Sequence, residues 1–132
     1  MTSERAQIVV TAAVIERDDR FLVTRRLEGT HLEGLWEFPG GKCDERESLV
    51  TCLEREIREE LGAGVIVREE IFHVTHDYLD RSVTLHFFAC SLVSEPRPLL
   101  GQQMRWVARE DLRSLQFPPA DDELIALLES GH

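Results

Sequence analysis

Positive charge is scarce in this chain. Fifteen lysines and arginines stand against 25 aspartates and glutamates over 132 residues, giving a formal net charge of -10 and a pI near 4.9. Such a surface repels polyanions, which excludes a nucleic-acid polymer or an anionic membrane as the expected partner. A small phosphate-bearing ligand is repelled too, unless a bound cation or local arginines supply a positive field. Cysteine is also sparse: Cys43, Cys52 and Cys90 are odd in number and fall in no CxxC spacing. That excludes a disulfide scaffold and a zinc site, and predicts a reduced, cytoplasmic protein. No apolar run approaches the length of a membrane span, and the polar residues 1–7 have no apolar core of a secretion signal. Repeats, low-complexity tracts and linkers are missing as well. With 42% hydrophobic residues the chain is expected to be one domain, 1–132, with a core of its own.

Apolar, β-branched runs at 8–17 and 20–26 flank Asp18-Asp19 and predict a β-hairpin. Residues 27–36 read as irregular. The double glycine Gly40-Gly41 that follows lets the backbone approach a ligand closely, which makes the Gly40 carbonyl a possible metal ligand; a simple turn is the alternative. Residues 65–75 and 81–93 predict a second hairpin, 94–101 a loop, 104–108 a short strand and 109–113 a short helix. A last helix starts at Pro118 or Pro119 and turns Leu124, Ile125, Leu127 and Leu128 inward. Strands interleaved with helices on both sides give an α/β/α sandwich around a central mixed β-sheet. His73, His76 and His86 lie in or beside strands and are expected to be structural.

The densest chemistry lies between residues 40 and 63, GGKCDERESLVTCLEREIREELGA. Ser48 is a candidate N-cap, the next thirteen residues contain neither glycine nor proline, and Gly62 stands where a helix ends. The apolar stripe is expected to be Leu49, Val50, Leu53, Ile57 and Leu61, with Glu56 and Glu60 at its edge. Glu56, Glu59 and Glu60 fall at i, i+3 and i+4, on one face, where like charges cost about 0.2–0.5 kcal/mol per pair. Taken alone, these glutamates fit either a solvated acidic face or an oxygen donor set for a hard divalent cation. Arg25 and Arg26 leave the second strand beside this segment, either as surface charges or as contacts for phosphates or a base. Trp36 and Phe38 serve either the core or a stacked base.

Gly41, Glu47 and the run Arg55-Glu56-Ile57-Arg58-Glu59-Glu60-Leu61-Gly62-Ala63 together resemble the Nudix box, a glycine, a glutamate and an REUxEExGU segment with U aliphatic, and match it at every fixed position. Three more segments are similar to the MutT-like branch of that family: Thr24-Arg25-Arg26, Trp36 to Lys42, and Phe117-Pro118-Pro119-Ala120-Asp121. The resemblance implies a Nudix fold and Mg²⁺-dependent hydrolysis of nucleoside triphosphates to the monophosphate and pyrophosphate, Mn²⁺ being an alternative ion. By position it implies that Glu56, Glu59 and Glu60, with the Gly40 carbonyl and support from Glu47, hold the metal. Arg55 would orient Glu56, Glu56 is the usual candidate base, and Arg26, Phe38, Arg81 and Asp121 would contact the nucleotide.

Two positions depart from the pattern. The branch commonly carries a glutamate six residues before the late-strand tryptophan, where this chain has Leu100, so fewer ions are held or another residue such as Glu95 or Gln102 substitutes. Asp121 stands where MutT has asparagine; an ionised aspartate only accepts hydrogen bonds, whereas asparagine also donates. The expected substrate is therefore 8-oxo-dGTP or a related modified nucleotide, with (d)CTP as the alternative. From another class, a nucleotide-binding sensor that has lost catalysis remains open, favoured only by Leu100. The chain is expected to act as a monomer or homodimer on small-molecule nucleotides.

Overall fold

The computed structural model describes residues 6–131. Strand β1 (Ala6–Arg17) turns through Asp18 and Asp19, with φ of 53° and 62°, into β2 (Arg20–Arg25). Two successive left-handed residues suit the right-handed twist of a two-residue hairpin, and aspartate tolerates that region better than bulkier residues do. Only the end of β1 pairs with β2, at Glu16↔Phe21 and Arg17↔Arg20. Its longer part runs parallel to β6 (Arg81–Leu92) and antiparallel to β4 (Gly40–Lys42). With β3 (Trp36–Glu37), β5 (Val65–Asp77) and β7 (Met104–Ala108), the sheet is mixed and runs β3-β2-β1-β6-β5, β4 adding to β1 and β7 to β2. Trp36, expected to end an irregular stretch, and Gly40-Gly41, with a simple turn as the alternative, thus fall in the short strands 36–37 and 40–42, seated by hydrogen bonding to β2 and β1.

Alternation along β1 makes two cores. Ala12 and Val14 point into one layer with Phe21, Val23, Phe87 and Val107, closed by Leu112 and by Leu124, Ile125 and Leu128 of helix α2 (Asp122–Glu129). Ala13 and Ile15 point into the other with Leu22, Val65, Phe88 and Cys90, closed by Leu53, Ile57 and Leu61 of helix α1 (Leu49–Leu61). Burying each Val, Leu, Ile or Phe among these contributes about 1.5–3 kcal/mol. Helices therefore lie on both faces, as expected for an α/β/α sandwich. Residues 109–114 and 119–121 are 3₁₀ turns, the second leading directly into α2. Leu127 is only half-buried.

Helix α1 starts where the Ser48 hydroxyl accepts from the Thr51 N–H at 3.1 Å, and ends where the Gly62 N–H donates to the Arg58 carbonyl at 2.9 Å. Its buried stripe differs from the expectation at one residue. Val50 is 42% exposed, and Cys52 is fully buried in its stead. The cause is β4 on β1: that pair closes over the helix on the Cys52 side, where the Thr11 hydroxyl lies 3.3 Å from the Cys52 sulphur.

Cys43 and Cys52 are joined in a disulfide, with Cα atoms 5.3 Å apart, and only Cys90 is a free, buried thiol. This corrects the expectation of three unpaired cysteines. Nine residues apart, the two meet because β4 delivers Cys43 to β1, where its N–H donates to the Val9 carbonyl, and the chain then doubles back into α1. Among the described residues, no helix is long and apolar enough to cross a membrane.

Candidate active site

Arg55 gathers the polar face of α1. Its Nε and Nη2 donate to the two carboxylate oxygens of Glu47 at 2.6 and 2.8 Å, a bidentate pair, while Nη1 donates to Glu56 at 3.0 Å and Glu59 at 3.2 Å. Nη2 also donates to the Lys42 carbonyl at 3.1 Å. One planar guanidinium thus fixes Glu47, two helix carboxylates and the end of β4. The Arg55 hydrogen bonds, with a further one from the Asp44 N–H, hold the Glu47 carboxyl down at about 2. Glu56 moves the other way, raised by burial against the pull of Arg55.

Gly41 makes room for that carboxylate. A Cβ there would collide with the Glu56 side chain, so the glycine forms a cradle in which Glu56 lies directly on backbone. Glu60 is half-buried further along the helix, where its carboxyl is pushed up to about 8 by desolvation and by the nearby Glu37 and Glu56, opposed by a hydrogen bond from the Gly40 N–H and by the Arg26 charge. Three carboxylates close together are costly to keep ionised, and a hard divalent ion would offset that cost. The donors at hand are all oxygen, from Glu56, Glu59, Glu60 and the Gly40 carbonyl, and fit such an ion. Glu56 and Glu59 are turned to Arg55, and among the described residues no three acidic, histidine or cysteine side chains are already gathered around one point.

A cleft of about 450 Å³ opens beside Gly40-Gly41-Lys42. Val10, Ala12, Val83, Leu85 and Phe87 give it an apolar floor, and Arg26, Glu37, Tyr78, Arg81 and Asp121 give it polar walls. Apolar floor with few polar groups is the usual build of a small-molecule site. Phe38 lines it too, but is 3% exposed and packed on Phe117 (rings stacked, centroids 5.4 Å) and edge-on to Phe87. Arg26 donates through Nε to the His31 carbonyl at 2.5 Å and through Nη1 to Glu37 at 3.1 Å. Arg81 stands over the Tyr78 ring at 5.5 Å, and its Nε is buried with no hydrogen-bond partner among the described residues. Asp121 is 4% exposed, and burial together with Glu37 and Asp122 pushes its carboxyl up to about 7.

Glu37 was not singled out by sequence reasoning. It faces both the cleft and a smaller adjoining cavity of about 130 Å³ that it shares with Glu60, Thr24 and Gln102. Burial raises its carboxyl against the opposing Arg26 charge. The available signal was a charged residue between two aromatics, Trp36 and Phe38, in a stretch too short to show strand periodicity. Lys42, His76 and Tyr78 are further cleft residues that went unassigned.

Of the residues considered as replacements at the Leu100 position, Gln102 reaches only the smaller cavity beside Glu60, and Glu95 lies elsewhere. Leu100 is 54% exposed, and Glu95 forms a two-point ion pair with Arg17 at the far end of β1. Gln102 is buried and accepts from the Leu100 N–H at 2.9 Å, while its side-chain amide donates to the Glu60 backbone carbonyl at 3.3 Å. With the Leu99 N–H on the same carbonyl, the loop after β6 closes the C-terminal end of α1 and fixes Glu60 through its backbone. His73 and His86 share Glu70 on the exposed part of the β5–β6 ladder, away from these groups.

Residues 10–127 match the family model described as the NUDIX domain. The chain is 34% identical over 130 residues to an 8-oxo-dGTP diphosphatase of Haemophilus influenzae, covering 96% of each chain. It is 37% identical over 131 residues to a CTP pyrophosphohydrolase of Escherichia coli, covering 93% of this chain and 90% of that one. Among solved structures it is similar to the E. coli ORF135 protein, with a TM-score of 0.85, 31% identity, and coverage of 96% and 91%. A MutT of Aliivibrio salmonicida or Vibrio cholerae superposes with a TM-score of 0.81 at 28% identity, covering 95% and 98%.

Proposed function

The chain belongs to the Nudix family and is a MutT-like nucleotide pyrophosphohydrolase, and from that premise we propose that it removes 8-oxo-dGTP from the nucleotide pool. Water adds to a phosphorus of the triphosphate chain, one bridging P–O bond breaks, and the nucleoside monophosphate and pyrophosphate leave. Nudix hydrolases generally use divalent metal ions; here Mg²⁺, with Mn²⁺ as an alternative, would be held by Glu56, Glu59, Glu60 and the Gly40 carbonyl. Bound there, the ion supplies charge neutralisation for the phosphates, which phosphoryl transfer needs more than covalent catalysis. Arg55 keeps Glu56 pointed at the cleft wall and Glu47 locked to Arg55, so Glu56 takes a proton from water in a fixed orientation. Arg26 and Arg81 give this acidic protein a local cationic lining for the nucleotide.

The observation that carries this reading is one cleft lined by Gly40-Gly41, by the ion-paired Arg26 and Glu37, and by Asp121. In this reading the base lies by Asp121 and the phosphates by Gly40-Gly41, next to the Glu56 carboxylate. Asp121 decides the base. Neutral, it both donates and accepts and can pair with the O6 and N1–H edge of an oxidised guanine; ionised, it only accepts and suits the amino group of cytosine. The carboxyl raised to about 7 favours the first, and the CTP pyrophosphohydrolase relative favours the second. The protein is proposed to act as one domain in the cytoplasm on free nucleotides, as a monomer or homodimer.

Comparing kcat/KM for 8-oxo-dGTP, dGTP, dCTP and CTP tests the proposal. A large preference for 8-oxo-dGTP over dGTP is expected. A preference for the cytosine nucleotides would replace this reading by the second, and tight binding without turnover of any of the four would leave a sensor.

A further inference from the structure

The Cys43–Cys52 pair lies against the backbone that cradles Glu56. The Cys52 sulphur is 3.9 Å from the Gly41 carbonyl oxygen and 3.3 Å from the Thr11 hydroxyl. Cys43 follows Lys42, whose carbonyl accepts from Arg55, and Gly41 is the residue on which the Glu56 carboxylate rests. Pairing with β1 seats the stretch from Gly41 to Cys43 in the sheet, and two ties, the Arg55 contact and the bond to Cys52, hold it on α1.

We propose that Cys43–Cys52 is a reversible disulfide that couples thiol oxidation to divalent-cation binding, the bonded form holding the metal loop closed on α1. The proposal rests on the metal-dependent reading above for its functional consequence. Its physical basis is asymmetry of the two cysteines. Two unbonded sulphurs need about 3.5–4 Å between them, so reduction must move one of them away. Cys52 is fully buried on the helix and cannot retreat, whereas Cys43 is half-exposed at the end of β4. The displacement falls on Cys43 and is passed to Lys42 and Gly41, beside the Glu56 and Arg55 side chains. A group that only positions ligands commonly changes metal affinity about 10–100-fold when lost.

Closure requires a two-electron oxidant, for which a hydroperoxide suffices. The accessible Cys43 thiol is oxidised to the sulfenic acid as the peroxide O–O bond breaks and one water leaves. The Cys52 sulphur then attacks the Cys43 sulphur; the S–S bond forms, the S–O bond breaks, and the hydroxyl departs with the Cys52 proton as a second water. A dithiol reverses the change by exchange: it gives two electrons and two protons to the Cys43 and Cys52 sulphurs, the S–S bond breaks, and the dithiol leaves as its own disulfide. An enzyme that clears oxidised nucleotides would gain metal affinity under the conditions that produce its substrate.

The test uses the full chain, reduced with dithiothreitol or oxidised with stoichiometric hydrogen peroxide, the state being verified by mass after alkylation in denaturant. Mn²⁺ affinity is then measured by titration calorimetry on wild type and Cys43→Ser in both states. The expected result is that the oxidised wild type binds Mn²⁺ about tenfold more tightly than the reduced form. Cys43→Ser should match the reduced form and ignore peroxide. Equal affinities in the two verified states, or failure of the bond to form with peroxide, would overturn the proposal. Turnover of 8-oxo-dGTP measured on the same samples separates the two readings. An affinity shift without hydrolysis of 8-oxo-dGTP leaves the coupling standing and sinks the 8-oxo-dGTP reading, and hydrolysis with no affinity shift does the reverse.

Discussion

The α1 carboxylates behind the Gly40-Gly41 end of the cleft and the Asp121 end are built in opposite ways. On α1, Arg55, Glu56, Glu59 and Glu60 come from six consecutive residues of one helix, and a single guanidinium ties two of the carboxylates to Glu47. At the Asp121 end, Arg26 follows β2, Glu37 is in β3, Arg81 opens β6 and Asp121 precedes α2. The first end is local and rigid, and its chemistry is common to every substrate that carries a polyphosphate. The second is assembled from segments nearly a hundred residues apart, so its groups sit on separate elements and none is tied to the α1 helix spacing. The protein thus separates what breaks the bond from what chooses the base, and Glu37, facing both cavities, is where the two meet.

That separation can be broken most sharply at Glu56. Replacing it by glutamine keeps the shape in the Gly41 cradle but removes the proton acceptor. Turnover is expected to fall about 10²–10⁴-fold for all nucleotides alike, with binding retained; a loss confined to one base in steady-state assays would dissolve the distinction between the ends.

Arg55→Lys comes next. A lysine cannot reproduce the fork that holds Glu47, Glu56 and Glu59, and a drop of about 10–100-fold in Mn²⁺ affinity is expected, again independent of base. Titration calorimetry on the folded variant reads this directly, and an unchanged affinity would show that the helix carboxylates need no organiser.

The smallest effect, and the one that sharpens the contrast, belongs to Asp121→Asn. Its carboxyl, ordinarily near 3.8 and here raised to about 7, is neutral below that pH and charged above it. For wild type, kcat/KM toward 8-oxo-dGTP should therefore fall as pH rises through about 7, while that toward dCTP rises. Asparagine should flatten both profiles and change the ratio between the bases by about tenfold, a hydrogen bond's worth of discrimination, with kcat nearly constant. The same shift affects stability. A raised carboxyl disfavours the folded state only once ionised, so its cost is absent below the ordinary value and complete above about 7. The asparagine variant should gain melting temperature relative to wild type as pH rises across that range, and a parallel pH dependence in both proteins would contradict the assignment.

The legibility of the two ends differs for the same reason. Spacing along a helix translates directly into which side chains share a face, so the placement of Glu56 and Glu60 at the edge of the apolar stripe needed only local chemistry. The strands of β1, β2, β5, β6 and β7 were likewise visible as β-branched runs between turn residues. Even on the helix, local pattern failed where another element intruded: Val50 and Cys52 exchange places because β4 covers one side of α1. The strands at 36–37 and 40–42 carry no periodicity of their own and exist because β2 and β1 offer them partners.

What the sequence alone determined is therefore the fold class, the helix with its caps and its carboxylates, and the family resemblance that those positions carry. These depend on residues close together in the chain, where backbone geometry is nearly fixed by local sterics and hydrogen bonding. Only the tertiary structure decided that Cys43 and Cys52 bond, that Gln102 is hydrogen-bonded across the C-terminal end of α1, and that Glu37 acts on both Glu60 and Asp121. Each of those depends on which strand lies beside which, and that order is set by burying two apolar layers at once, a sum over the whole chain that no single segment contains.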